Sequence, residues 1–274
     1  GEAGSLDTAE VWIGDFSTGW FNGQIGEIVY YSKALTAEEA SDIFTEQTFS
    51  EIDIQQLEFF LPLRTHYNNG ATELTPNAGV IGDDTIRWGD GSTSTTYPTL
   101  LDNNGVSFDG GDYILVNQSI ALDNTETYSI GCLFKTTDTN AVYPIDCRVL
   151  DGTKKGFGIL IASDGQIRGL TDTGDAGKLV ETVGSYNDGQ WHSLIVSFAP
   201  GVGTFITLYV DGKLENSGDV DAFTNASVSP VIGAEYDFTN NFVGDMKFPF
   251  FWRFALTPTQ AQWQHFKLFR EMNV

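Results

Sequence analysis

Residues 187–198 read NDGQWHSLIVSF, and residues 208–215 read LYVDGKLE. In the first stretch an Asp-Gly turn leads into an apolar run. In the second such a run stops at Asp211-Gly212. Short apolar and β-branched runs bounded by Asp-Gly punctuation read as antiparallel strands joined by tight turns. The spacing therefore predicts strands over His192–Phe198 and Thr204–Val210. The same grammar extends toward the N-terminus. It predicts strands over Leu57–Leu63, Gly105–Phe108, Tyr113–Val116, Tyr128–Lys135, Ile145–Leu150, Phe157–Ala162 and Gln166–Thr171. Turns at Asp109-Gly110-Gly111-Asp112 and Ser163-Asp164-Gly165 separate some of them. Long helical patterns are few and the chain holds 30 glycines, so the fold class reads as all-β, an antiparallel β-sandwich or a barrel.

Composition narrows function. The 274 residues are 41% hydrophobic and 13% aromatic, enough for a sizeable core. The formal net charge of −23 repels phosphate backbones and anionic membrane surfaces, which argues against a nucleic-acid partner. No apolar run approaches the ~18 residues of a membrane-spanning helix, so membrane insertion is not expected. There is no secretory signal pattern. The small, polar opening GEAGSLDTAE, without Met, suggests a processed or excised piece of a longer product. Asn117-Gln118-Ser119 and Asn225-Ala226-Ser227 are glycosylation sequons.

An internal repeat organises the chain. Segments 11–44 and 230–266 align through Ile13-Gly14 with Ile232-Gly233, Phe21-x-Gly23 with Phe242-x-Gly244, and Ala34-Leu35-Thr36 with Ala255-Leu256-Thr257. Each copy then enters a helix through a capping box, Thr36-x-x-Glu39 or Thr257-x-x-Gln260, and Pro258 suits the first helical position. A whole sandwich precedes the second copy and almost nothing precedes the first. Residues 1–50 are thus expected to be the C-terminal strands and helix of an incomplete upstream domain plus a linker. Residues 51–274 are expected to form the complete sandwich.

Several phrases resemble the laminin-G-like, concanavalin A-like lectin/glucanase superfamily: VSFDGGDYILV at 106–116, ETYSIGCLFKT at 126–136, NDGQWHSLIVSF and LYVDGKLE. The resemblance spans roughly 57–270 and the first repeat copy. It implies a jelly-roll sandwich with a short C-terminal helix, in which the Trp191-His192 pair starts a core strand. The fold itself carries enzymes, lectins and scaffolds. GAEYD at 233–237 resembles the pentraxin loop that supplies acidic calcium ligands, which makes Glu235 and Asp237 candidate metal ligands and calcium the candidate cofactor. Lys154-Lys155-Gly156-Phe157 stands where the other half of such a site would be.

Other chemistry is sparse. Glu51-Ile52-Asp53-Ile54 approaches the Glu-x-Asp-x-Glu strand of glucanases on this fold, but Gln55 or Gln56 takes the third position, and an amide cannot move the catalytic proton. It reads as an acidic linker, and no catalytic residue is expected. His66, His192 and His265 lack zinc spacing. Cys132 and Cys147 flank a predicted hairpin with its turn near Asp138–Ala141. They would be either a cross-strand disulfide or two buried thiols.

The last strand is unusual. Its outward set, Phe248, Phe250, Trp252 and Phe254, is aromatic where the first copy has Glu27, Val29, Tyr31 and Lys33. Leaving such a row exposed forgoes roughly 1.5–3 kcal/mol per side chain, so something must cover it. The cover would be intramolecular (the tail helix, the 64–100 loop or residues 1–50), or the row would be a protein interface or sugar platform. Pro249 marks this strand as an edge or a bulge. The long polar 64–104 stretch, with Trp88 and Tyr97, is expected to supply loop contacts. Together these readings point to a non-catalytic attachment or decoration module, extracellular or on a virion surface. A phage fibre, a phage head-surface protein and a bacterial adhesin all suit it. Its partners would be other subunits and a cell-surface glycan. The alternatives are a glucanase-type glycoside hydrolase and a purely structural assembly subunit.

Overall fold

The computed structural model describes residues 15–16, 19–20, 57–61, 63, 67–68, 73–74, 86–90, 96–101, 105–149, 155–171, 179–200, 204–220, 223 and 225–272. The chain divides into two compact units, 1–45 and 46–274. In the first, β1 (Asp15–Phe16) and β2 (Gly19–Trp20) form a two-stranded antiparallel pair. The rest of the first repeat copy and the Glu51–Ile54 segment lie outside the described residues.

The second unit holds β3 (Leu57–Phe60), β4 (Tyr67–Asn68), β5 (Glu73–Leu74), β6 (Ile86–Trp88), β7 (Thr99–Leu100), β8 (Val106–Asp109), β9 (Ile114–Val116), β10 (Ile120–Leu122), β11 (Tyr128–Lys135), β12 (Val142–Arg148), β13 (Gly156–Ile161), β14 (Gln166–Leu170), β15 (Leu179–Ser185), β16 (His192–Pro200), β17 (Thr204–Val210), β18 (Lys213–Val220), β19 (Ala226–Val228), β20 (Val231–Ile232), β21 (Val243–Trp252) and α1 (Pro258–Met272). One sheet runs β18-β17-β16-β11-β21-β8-β7, with β3 also on β21; the other runs β15-β14-β13-β12-β20-β9-β6-β5-β4. All pairings are antiparallel. The fold is the expected jelly-roll sandwich with a C-terminal helix.

Alternation makes the core. Ile130, Cys132 and Phe134 from β11 meet Ile145, Cys147 and Phe157 from the opposite sheet in one buried cluster. Phe157 stacks on Phe198 at 4.2 Å and stands edge-on to Phe251 at 5.9 Å, tying the sheets together. The predicted hairpin around Asp138–Ala141 is instead an arch. β11 pairs with β16 and β21, whereas β12 pairs with β13 and β20, so the chain crosses between sheets there. Cys132 and Cys147 thus lie in opposite sheets, and both are free, buried thiols.

The outer face of the first sheet carries a second cluster. Leu133, Ile195, Tyr209, Phe248 and Phe250 are covered by Leu256, Ala261 and Leu268 of α1 and its approach. Gly131 sits opposite Phe250 in the ladder, and a Cβ there would lie 2.7 Å from the ring and 2.2 Å from the Leu194 carbonyl oxygen. Glycine is what lets the ring lie across the sheet. Phe248 has φ 51 and the β11–β21 register shifts between Gly131 and Leu133, so Phe248 and Pro249 form a bulge, and β21 is a central strand. Two buried serines hold the chain entering the helix: Leu256 N donates to Ser129 Oγ at 2.9 Å and Ser197 Oγ at 3.1 Å. The capping box forms as read, with Thr257 N on Gln260 Oε1 at 2.9 Å and Gln260 N on Thr257 Oγ1 at 3.4 Å. Farther along α1, His265 Nδ1 shares a 2.7 Å hydrogen bond with Ser193 Oγ of β16.

Candidate functional site

The loop between β20 and β21, residues 233–242, is built from both ends. Gly233 leaves β20 at φ 82, and a Cβ there would lie 2.3 Å from the Phe108 ring, so only glycine makes this exit. Its N–H donates to the Pro144 carbonyl at 2.9 Å, and Phe242 N closes the loop on the Gly233 carbonyl at 2.8 Å. Within it, Glu235 N donates to Thr239 O at 2.9 Å and Phe238 N to Glu235 O at 2.8 Å. Asp237 Oδ1 accepts from Thr239 N at 3.1 Å and Thr239 Oγ1 at 2.5 Å.

A buried ion network fastens this loop to β12. Arg148 Nε donates to Asp146 Oδ1 at 2.8 Å, and Nη2 to Asp146 Oδ2 at 2.9 Å. Nη2 also reaches Glu235 Oε1 at 3.0 Å. The Tyr143 ring covers the guanidinium at 4.7 Å, and Tyr236 N donates to Asp146 Oδ2 at 3.0 Å. Asp146 is 0% and Arg148 2% exposed. Burial opposes a charge on Arg148, but the hydrogen bonds and charge of Asp146 outweigh it and hold the guanidinium's pKa above its ordinary value. Gly158, opposite Asp146 in the ladder, leaves room for the carboxylate; a Cβ would lie 2.8 Å from Oδ1.

On this locked base sits an exposed aromatic. Phe238 has φ 63 and Asn240 φ 46, left-handed conformations uncommon for side-chain-bearing residues and rarest for bulky ones. Such a backbone costs of order 1–3 kcal/mol and persists only where the surroundings hold it. Phe238 is 43% exposed, and its ring stacks on Tyr113 at 4.4 Å and 27°. Tyr113 follows the turn in which Asp109 N donates to Asp112 Oδ2 at 2.9 Å. Burial, with the neighbouring Asp109 charge, lifts Asp112 to a pKa of about 6. The arrangement is an open apolar ring on a rigid loop, flanked by carboxylates and amides. Chemically it can stack a flat apolar ligand face and accept hydrogen bonds from hydroxyls.

Residues 108–262 match the profile described as the concanavalin A-like lectin/glucanases superfamily. The chain belongs to this superfamily. No curated protein matches it. Among solved structures, it is similar to the botulinum neurotoxin serotype D ligand binding domain in complex with N-acetylneuraminic acid, at 15% identity and TM-score 0.56, covering 79% of this chain and 52% of that one. It is also similar to a botulinum neurotoxin type C structure whose cell entry is described as dependent on two ganglioside molecules, at 12% identity and TM-score 0.54, covering 80% and 53%. A heptameric SAP-like pentraxin from Limulus polyphemus matches at 19% identity and TM-score 0.45, covering 57% and 78%. The chain spans about half the length of the toxin chains. At these identities the likeness is one of fold.

In this concanavalin A-like chain the expected calcium ligands are otherwise engaged. Glu235 faces the Arg148 guanidinium, and its Oε2 accepts from Asn240 Nδ2 at 2.6 Å. Asp237 caps its own turn. Among the described residues no group of three or more His, Cys, Asp or Glu side chains could hold a metal ion. The positive charge that Glu235 faces is thus the guanidinium of Arg148. For the aromatic row the structure takes the intramolecular alternative. Phe248 and Phe250 are 1% and 0% exposed beneath α1, so the cover is the chain's own tail helix and neither ring is a platform; Trp252 and Phe254 are half-buried in the same cluster. Trp88 is 1% exposed in β6, paired with Ile114 of β9, and is core rather than a loop contact, while Tyr97 packs half-buried against the core. β4, β5 and β6 turn part of the 64–104 stretch into sheet.

Arg148, Tyr143 and Phe238 were not singled out from sequence. A signal existed: Asp146 and Arg148 are two charges two residues apart in an otherwise apolar strand, hence on one face. Phe238 is a lone aromatic in the polar run Asp237–Asn241.

Proposed function

We propose that this chain is a non-catalytic surface-attachment module that binds glycans through the 233–242 loop. The observation that carries this reading is Phe238, a phenyl ring 43% exposed at a positive φ on a loop fastened by buried ion pairs. Exposed aromatics on rigid loops offer a stacking face for the apolar side of a sugar at low entropic cost. Two similar folds are described with N-acetylneuraminic acid and with gangliosides, which supports carbohydrate as the ligand class. Attachment places the module outside cells or on a virion surface. A phage fibre, phage head-surface protein or bacterial adhesin would each use it as one of several subunits.

A glucanase needs two carboxylates about 5–10 Å apart across a cleft. Asp109 and Asp112 instead sit within one turn, joined by the Asp109 N to Asp112 Oδ2 bond. A glycan array probed with the full chain tests the proposal. Binding to a defined set of glycans, without release of reducing sugar, is the expected result. Uniform silence with a stable oligomer on sizing would leave a structural subunit in its place, and sugar release would make it an enzyme.

A further inference from the structure

Resting on that reading, we infer that the loop selects neutral glycans and rejects sialylated or uronic-acid glycans. The selection follows from which groups are already occupied. Arg148, the guanidinium of this network, is 2% exposed and held by Asp146 and Glu235, so it has no open face for a ligand carboxylate. Lys135 is bound to Asp245 at 2.7 Å. What the loop presents beside Phe238 is acceptor-rich. Asp237 is exposed, and among the described residues its Oδ2 meets only the Tyr236 hydroxyl, at 3.5 Å. Asn240 is exposed, with its Nδ2 on Glu235. Asp109 is exposed at the neighbouring turn, before Tyr113 on which Phe238 rests.

A sugar with vicinal hydroxyls donates to such acceptors while its C–H face lies on the ring. A carboxylated sugar meets carboxylates instead of donors. The surrounding field acts the same way, because the chain carries a net −23. Like charges within about 8 Å remain coupled at physiological ionic strength.

The test uses the full chain and matched glycans that differ only in a terminal sialic acid, with affinity measured at low and high salt. The neutral glycan is expected to bind about tenfold more tightly at low salt, the gap narrowing as salt rises. Asp237→Asn is expected to narrow it as well. Phe238→Ala is expected to weaken neutral binding about three- to tenfold, and Phe238→Trp to retain it. Equal or tighter binding of the sialylated partner overturns the selectivity and leaves glycan binding standing. Neutral binding that ignores Phe238→Ala overturns the site. Silence toward both glycans by folded protein overturns the glycan reading itself.

Discussion

Arg148 of β12 and Glu235 of the loop after β20 are joined by a 3.0 Å contact from Nη2 to Oε1, with the arginine side chain fully buried and the glutamate partly buried. Asp146 completes the network from within β12. Removing one member of a buried pair leaves an uncompensated charge. Arg148→Met should therefore cost about 3–5 kcal/mol, because Asp146 is stranded. Glu235→Gln keeps the Asp146–Arg148 pair and should cost well under half as much. Urea denaturation of the variants checks the order; equal losses would mean that the Glu235 arm, not Asp146, is the main partner.

Asp112 predicts a pH signature. Its folded pKa of about 6 lies above the ordinary 3.8, so folding takes up a proton between those values. The favourable contribution is complete below about pH 3.8 and is lost as pH rises through about 6. Asp112→Asn keeps an oxygen for the Asp109 N–H and removes the charge. It should be more stable than the parent at about pH 7.5, with the difference closing toward about pH 4 in thermal melts.

His192 runs the same way at higher pH. Its Nδ1 lies 2.8 Å from Asp211 Oδ2 and its Nε2 3.1 Å from Asp188 Oδ1. The Asp211 hydrogen bond outweighs burial, and Asp188 adds to it, raising the folded pKa above 6.5. The stabilisation is full below about pH 6.5 and lost as pH climbs through the raised value. His192→Gln should thus cost more at about pH 5.5 than at about pH 9, and an NMR titration should show the imidazole holding its proton longer than a free histidine.

The thiols should be silent. Burial pushes both Cys132 and Cys147 well above the ordinary thiol range. Neither should react with a thiol reagent in the native state at neutral pH, and both should react after denaturation without reductant. No reactive equivalent after denaturation would indicate a Cys132–Cys147 disulfide.

α1 should contribute to stability through Leu268, 1% exposed over Phe250 and its neighbours. Leu268→Ala should cost about 2–5 kcal/mol in a chemical melt, whereas a surface helix would lose almost nothing.

Much of the sandwich was legible because strands announce themselves by period and punctuation. Tyr128–Lys135 and Thr204–Val210 begin and end where predicted. β15 and β18 were missed: Lys213–Val220, KLENSGDV, is a polar edge strand whose pairing comes from β17, not from its own apolar content. The arch at 136–141 was misread because hairpins and arches share the same local turn residues; only partner strands distinguish them. The aromatic row was correctly seen to need cover, and the helix that covers it stood only a few residues downstream. The candidate site was least legible. Glu235 stands out for its charge, but its partner Arg148 lies 87 residues away in sequence, and nothing local records that a guanidinium sits beside it.

Phe238 and its loop as the ligand face can be tested most directly by amide chemical-shift mapping of the full chain titrated with a neutral glycan that it binds. Saturable shifts are expected at Glu235–Asn241 and Tyr113, absent in Phe238→Ala. Shifts confined to other surfaces, such as α1 or β18, with this loop unmoved, would contradict that assignment.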